Sequence, residues 1–116
     1  MESRSILPAG KPASSSIQTG DTMEKELPEY LKINDDGSAD ITLSRPANIG
    51  GTKVSVLRMR EPTVGDQEVT AQMTGNDATR EITAFANLCG LAPDDIRKLP
   101  LRDYGRLQRT YTVFLD

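Results

Sequence analysis

The chain has no histidine, no tryptophan and one cysteine, Cys89, and its aromatic side chains are three Tyr and two Phe. Each scarcity removes a class of chemistry. Without histidine there is no imidazole to activate a serine or cysteine nucleophile, and none to ligate a metal. A single cysteine makes neither a disulfide framework nor a Cys/His zinc centre. No apolar run approaches the roughly 20 residues that cross a bilayer, which predicts no transmembrane helix and no membrane partner. Residues 1–16 lack the apolar core of a secretory signal, so the expected compartment is the cytoplasm. A surplus of basic charge is missing too. The chain carries 14 Lys and Arg against 17 Asp and Glu, a net charge of -3, and residues 38–116 hold ten of each sign. A nucleic-acid binder concentrates Lys and Arg on its domain, so no nucleic-acid partner is expected.

Large apolar side chains are also few, since Leu, Ile, Val and Phe make up 25 of the 116 residues. That is close to the composition at which a chain no longer buries enough surface to fold, so the folded part must be small. Residues 1–22 are rich in Ser, Pro, Gly and Thr, with Ile6, Leu7 and Ile17 scattered without period. An acidic stretch follows, broken by Pro28, and then the turn sequence Asn34-Asp35-Asp36-Gly37. These features predict a disordered or flexible acidic arm over residues 1–37. Asp35, Asp36 and Asp40 lack the ligand spacing and closing Glu of a calcium loop.

From residue 38 the pattern changes. Residues 39–45 alternate, with Ile41 and Leu43 on one face, and residues 53–60 place Val54 and Val56 on one face. Between them, residues 46–52 combine Pro46 with Gly50-Gly51 and read as the loop of a β-hairpin spanning 39–60. Helical period takes over with the capping box Thr63-Val64-Gly65-Asp66. Spacing and terminal signals predict helices over about 64–73, 77–89, 93–98 and 101–115. The expected architecture is α+β, an N-terminal hairpin packed on a small bundle of three to four short helices, in a domain spanning 38–116. So thin a core makes a homo-oligomer, or a grip on a partner, a route to stability.

No constellation for catalysis emerges. Cys89 lies on the apolar stripe of the second helix, where a free cysteine packs as a small hydrophobe. Asp94 and Asp95 occupy a first helical turn, where acids complement the helix dipole, and the glycines form no phosphate-binding fingerprint. No enzyme, metal or cofactor is expected. Two features remain. Leu101, Tyr104, Leu107, Tyr111 and Phe114 share one side of the final helix, with Phe85 on the second helix, and Arg102, Arg106 and Arg109 occupy the other side of the final helix. Helical spacing alone does not separate a core stripe from a binding groove.

Several runs, in order, carry a resemblance. Ile41-Thr42-Leu43-Ser44-Arg45-Pro46 is followed by Val56-Leu57-Arg58-Met59-Arg60-Glu61-Pro62-Thr63-Val64-Gly65-Asp66. Ala86-Asn87-Leu88-Cys89-Gly90-Leu91, Pro93-Asp94-Asp95-Ile96 and Leu99-Pro100-Leu101-Arg102-Asp103-Tyr104 come next. In this order residues 38–116 resemble the tail assembly chaperones of Mu-like phages and prophages. The resemblance implies a small protein of the bacterial host cytoplasm that binds the tape measure protein. It would keep that client soluble while tail tube subunits, a further contact, polymerise around it. The alternative is a structural tail component, a completion or connector protein retained in the virion. A DNA-binding regulator using the arginine face is a third reading, which the charge balance disfavours. A tape measure is mostly amphipathic helix, so its chaperone needs an apolar groove of low sequence preference. On this reading the final helix and the helix containing Phe85 form that surface, with Tyr104, Leu107, Tyr111 and Phe114 as candidate anchors, and Arg102, Arg106 and Arg109 form a polar rim that steers acidic segments.

Overall fold

The computed structural model describes residues 27–116. Strands β1 (Leu31–Ile33), β2 (Ala39–Ile49) and β3 (Thr52–Met59) form an antiparallel sheet in that order. Helices α1 (Val64–Gln72), α2 (Asp77–Cys89), α3 (Pro93–Arg97) and α4 (Leu101–Phe114) follow, each within one residue of its expected ends. The class is α+β, with one strand more than the expected hairpin. The expectations for residues 1–26 lie outside the described residues.

The extra strand corrects the reading of 1–37 as an arm throughout. Leu31 is buried and pairs with Ile41, and the strand reaches β2 through the turn Asn34–Gly37. Within it the Asp36 carboxylate accepts from the Ser38 hydroxyl (2.6 Å) and backbone N–H (2.9 Å), which holds its carboxyl below the usual range. Three residues are too few to show a period, which is why β1 escapes a pattern reading.

The hairpin loop is also shorter than the expected 46–52. Gly50 and Gly51 alone make the turn, with φ of 60° and 83°, and Ile49 pairs with Thr52 across it. Two successive positive φ values give a turn whose twist matches that of the strands, and glycine adopts them without strain. Pro46 falls inside β2, at a break in register where Thr42 opposes Val56 but Ala47 opposes Val54. A residue without an N–H is tolerated at such a bulge because no ladder bond is asked of it.

Register decides which side chains meet the helices. Ile41 stands opposite Leu57 and Ala39 opposite Met59, so β3 turns Leu57 and Met59 inward. Val54 and Val56, which the alternation puts on one face, part company at the break in register: Val54 packs against the core and Val56 is 46% exposed. On the outer face Asp40 and Arg58 pair across the strands at 2.9 Å. Phe85, Ala86 and Leu88 of α2 and Leu107 of α4 complete the core, with Ile96 and Leu99 at its end.

Strand β2 outruns β1, and α4 takes over its uncovered edge. Thr42 N–H donates to the Tyr30 carbonyl (2.8 Å), the last bond on the β1 side. Next, Arg106 Nη1 donates to the Thr42 carbonyl (2.7 Å). Asp103, fully buried, then accepts from the Ser44 N–H (2.8 Å) and hydroxyl (3.0 Å). The Arg106 guanidinium lies 4.5 Å over the Tyr30 ring and 3.9 Å from Asp103. Two side chains of α4 thus do for the strand edge what a longer β1 would have done.

Candidate partner-binding site

The five apolar residues of the α4 stripe meet different surroundings, and Leu101 at its start is 84% exposed. Leu107 has no exposed surface and sits in the core, so it fastens α4 to the sheet and offers nothing to a partner. Tyr104 and Tyr111 flank Phe85, with ring centroids 5.7 and 5.6 Å away and tilts of 48° and 46°. Such tilted pairs each contribute roughly 0.5–1.5 kcal/mol beyond area burial. The Tyr104 hydroxyl donates to Glu81 Oε1, which also accepts from Gln108 Nε2 at 3.0 Å, so Glu81 ties α2 to α4. Burial, and then the bond to Glu81, pushes the Tyr104 hydroxyl far up from its usual range. Tyr111 and Phe114 are half-buried and pack on the core from its border.

The three arginines do not form one rim. Arg106 is committed to Thr42, Asp103 and Tyr30. Arg109 is exposed, while Arg102 lies beside Arg45 of β2, away from the Tyr111 end of the helix. A side-chain bond to a backbone carbonyl 64 residues away leaves no local mark, and spacing along one helix shows none of this.

Helix α1 supplies what the sequence reading missed. It has no buried residue, and Val64 and Val69 are 83% and 52% exposed. Its N-terminus is held firmly. Thr63 and Asp66 form the reciprocal capping box, and Arg60 grips Asp66 with two bonds of 2.7 and 2.8 Å. That guanidinium, with the Thr63 N–H and hydroxyl, holds the Asp66 carboxyl well below the usual carboxylate range. Past this latch α1 leans on α2 and leaves a cleft of about 440 Å³. Ala84, Phe85 and Tyr111 line it, together with Gln67, Thr70 and Ala71 of α1 and the charged side chains of Asp77, Arg80 and Glu81. No aromatic or long aliphatic residue of α1 marks this wall, so only the two aromatic positions were legible.

A second apolar notch, about 330 Å³, opens where α2, α3 and α4 meet, lined by Ile82, Ile96, Leu99, Leu101 and Tyr104. Leu101 at its lip is 84% exposed. Burial pushes the Cys89 thiol up to about 12, so it stays protonated near neutrality and lacks nucleophilic character. Asp94 pairs with Arg97 at 2.9 Å and Asp95 accepts from the Ala92 N–H at 3.2 Å, both serving α3 itself.

What this arrangement can do is accept apolar side chains between helices. The model of the family described as phage tail assembly chaperone proteins, E, or 41 or 14, matches residues 40–116. Searches of curated proteins and of solved structures give no match. Every residue of both openings lies inside the matched span, and the chain belongs to the phage tail assembly chaperone family.

Proposed function

We propose that the protein binds the tape measure protein and keeps it soluble during tail tube assembly, gripping amphipathic client helices in the cleft between α1 and α2. The observation that carries this reading is α1 itself. A helix latched at one end, with nothing buried, standing off an aromatic floor, is an element built to share its inner side with something else. An amphipathic helix presents anchors at positions i, i+3 and i+4, and a cleft lined by Ala84, Phe85 and Tyr111 receives such anchors by shape, with little demand on sequence. Phe114 and the notch at Leu101 extend the apolar surface available to a long client. Binding of this kind needs no catalytic step and no cofactor, and tail tube subunits would meet the chaperone only through the client. Among the described residues no helix is long and apolar enough to cross a membrane, and the reading places the protein in the cytoplasm of the host cell.

The test is co-expression with the tape measure protein, read by solubility and size-exclusion chromatography. The client is expected to be insoluble alone and to co-elute with the chaperone. Ala71 is exposed on α1 and lines the cleft, so Ala71→Arg obstructs the opening at little cost to the helix. This variant is expected to keep its far-UV circular dichroism and to lose the client. A client that is soluble without help, together with recovery of this chain from purified particles, would overturn the reading in favour of a structural tail component.

A further inference from the structure

Arg45 of β2 and Lys98 and Arg102, four residues apart at the junction of α3 and α4, flank two adjoining openings that form one groove. Its larger part, about 680 Å³, is lined by Ser44, Arg45, Pro100, Leu101 and Arg102. Its smaller part, about 270 Å³, runs on past Pro46, Ala47 and Asn48, with Asp95 and Lys98 facing them. Arg45 and Pro100 belong to both parts, so the groove follows the outer edge of β2 from the point where Asp103 has taken the Ser44 N–H. Among the described residues none of the three bases forms an ion pair, although Arg58, Arg60, Arg80, Arg97 and Arg106 all do. The single carboxylate in the groove, Asp95, is turned to the Ala92 N–H.

We propose that this groove is a second contact for the protein client and takes an acidic segment of it by the carboxylate side chains. The inference rests on the reading that the partner is a protein bound during assembly. Three cations beside one engaged carboxylate favour an anionic occupant by charge complementarity. Pro46 has no N–H to offer, so an added β-strand would find the ladder interrupted there and side-chain recognition remains. The balanced charge of residues 38–116 disfavours nucleic acid as the anion. The α1–α2 cleft selects apolar anchors and this groove selects charge, and two weak contacts on one client gain avidity without a new fold.

The experiment uses the full chain and a fluorescein-labelled synthetic peptide of about a dozen alternating Glu and Ala residues, followed by anisotropy at low ionic strength. Binding is expected to weaken with added salt, and the Gln/Ala counterpart is expected not to bind. The double variant Arg45→Ala/Arg102→Ala should lose roughly tenfold in affinity, by the worth of two exposed charge pairs. Lys32→Ala, exposed on β1 and outside the groove, should bind as the parent does. Equal binding of the Gln/Ala peptide, an unchanged double variant, or the same loss in Lys32→Ala would overturn the proposal. So would peptide binding that appears only once the N-terminal segment is removed, since the occupant would then be part of the chain itself. Client co-expression separates the two readings. A parent chain that fails to solubilise the client sinks the proposed function, whereas a double variant that retains the client at the parent's salt tolerance sinks this groove alone.

Discussion

Asp103 and Leu107 stand one helical turn apart on α4, and both are closed to solvent for different reasons. Leu107 fills core volume, so Leu107→Ala should cost about 2–5 kcal/mol through lost burial and the cavity left behind. Asp103 serves as acceptor for a strand edge that has no strand. Asp103→Ala would leave the Ser44 N–H without a partner and Arg106 without its neighbour, at about 3 kcal/mol. Tyr104→Phe, which removes one bond to Glu81 and keeps the ring against Phe85, should cost only about 1 kcal/mol. Urea titration followed by circular dichroism checks all three, and the expected order is Leu107 and Asp103 well ahead of Tyr104. A neutral Asp103→Ala would mean that water or a shifted side chain replaces the carboxylate at the edge of β2.

At the scale of elements, α1 depends on its first turn more than any other helix. Its capping box and the Arg60 grip converge on Asp66, and its length contributes no buried side chain. The Asp66 carboxyl titrates lower in the folded chain than its ordinary value of 3.8. A depressed folded value means the stabilising contribution is complete above the ordinary carboxylate range and fades as pH falls below about 4. Hydrogen exchange should therefore show the α1 amides losing protection on acidification before those of α2 and α4. Arg60→Ala should produce the same loosening at neutral pH. Protection in α1 that is as pH-insensitive as in α2 would contradict the latch.

The elements also show what a pattern can carry. Helix α2 announces itself by Asn76 at its N-cap, an apolar stripe and Gly90 in the left-handed conformation, all of which are local. Strand β1 does not, because its identity comes from pairing with β2. Pro46 argues for a loop by every local rule, and only the bulge in β2 explains its place in a strand. The inward face of β3 follows from the break in register at Pro46, which shifts the pairing from Ala47–Val54 to Thr42–Val56, and not from the β-branched residues that catch the eye. For the candidate site, the aromatic positions were legible and their coverage was not. Leu107 and Tyr111 look alike on a helical wheel, and the neighbours that seal one and leave the other at a cleft come from elsewhere in the chain.

Across the whole molecule, one face of a three-stranded sheet is covered by α2 and α4, while α1 and α3 sit at the margins and open the surface between them. That layout suits a chaperone of phage tail assembly, because the core is complete without the client and the openings lie at its edge. The central claim is that a client helix occupies the cleft between α1 and α2. The most direct measurement is hydrogen exchange on the free chain and on its complex with the tape measure protein. Protection is expected to rise at 64–72, at 77–85 and around Tyr111, with the outer face of the sheet at Asp40 and Arg58 unchanged. A complex that leaves those segments as exchangeable as in the free chain, and protects the outer sheet face in their place, would contradict the account.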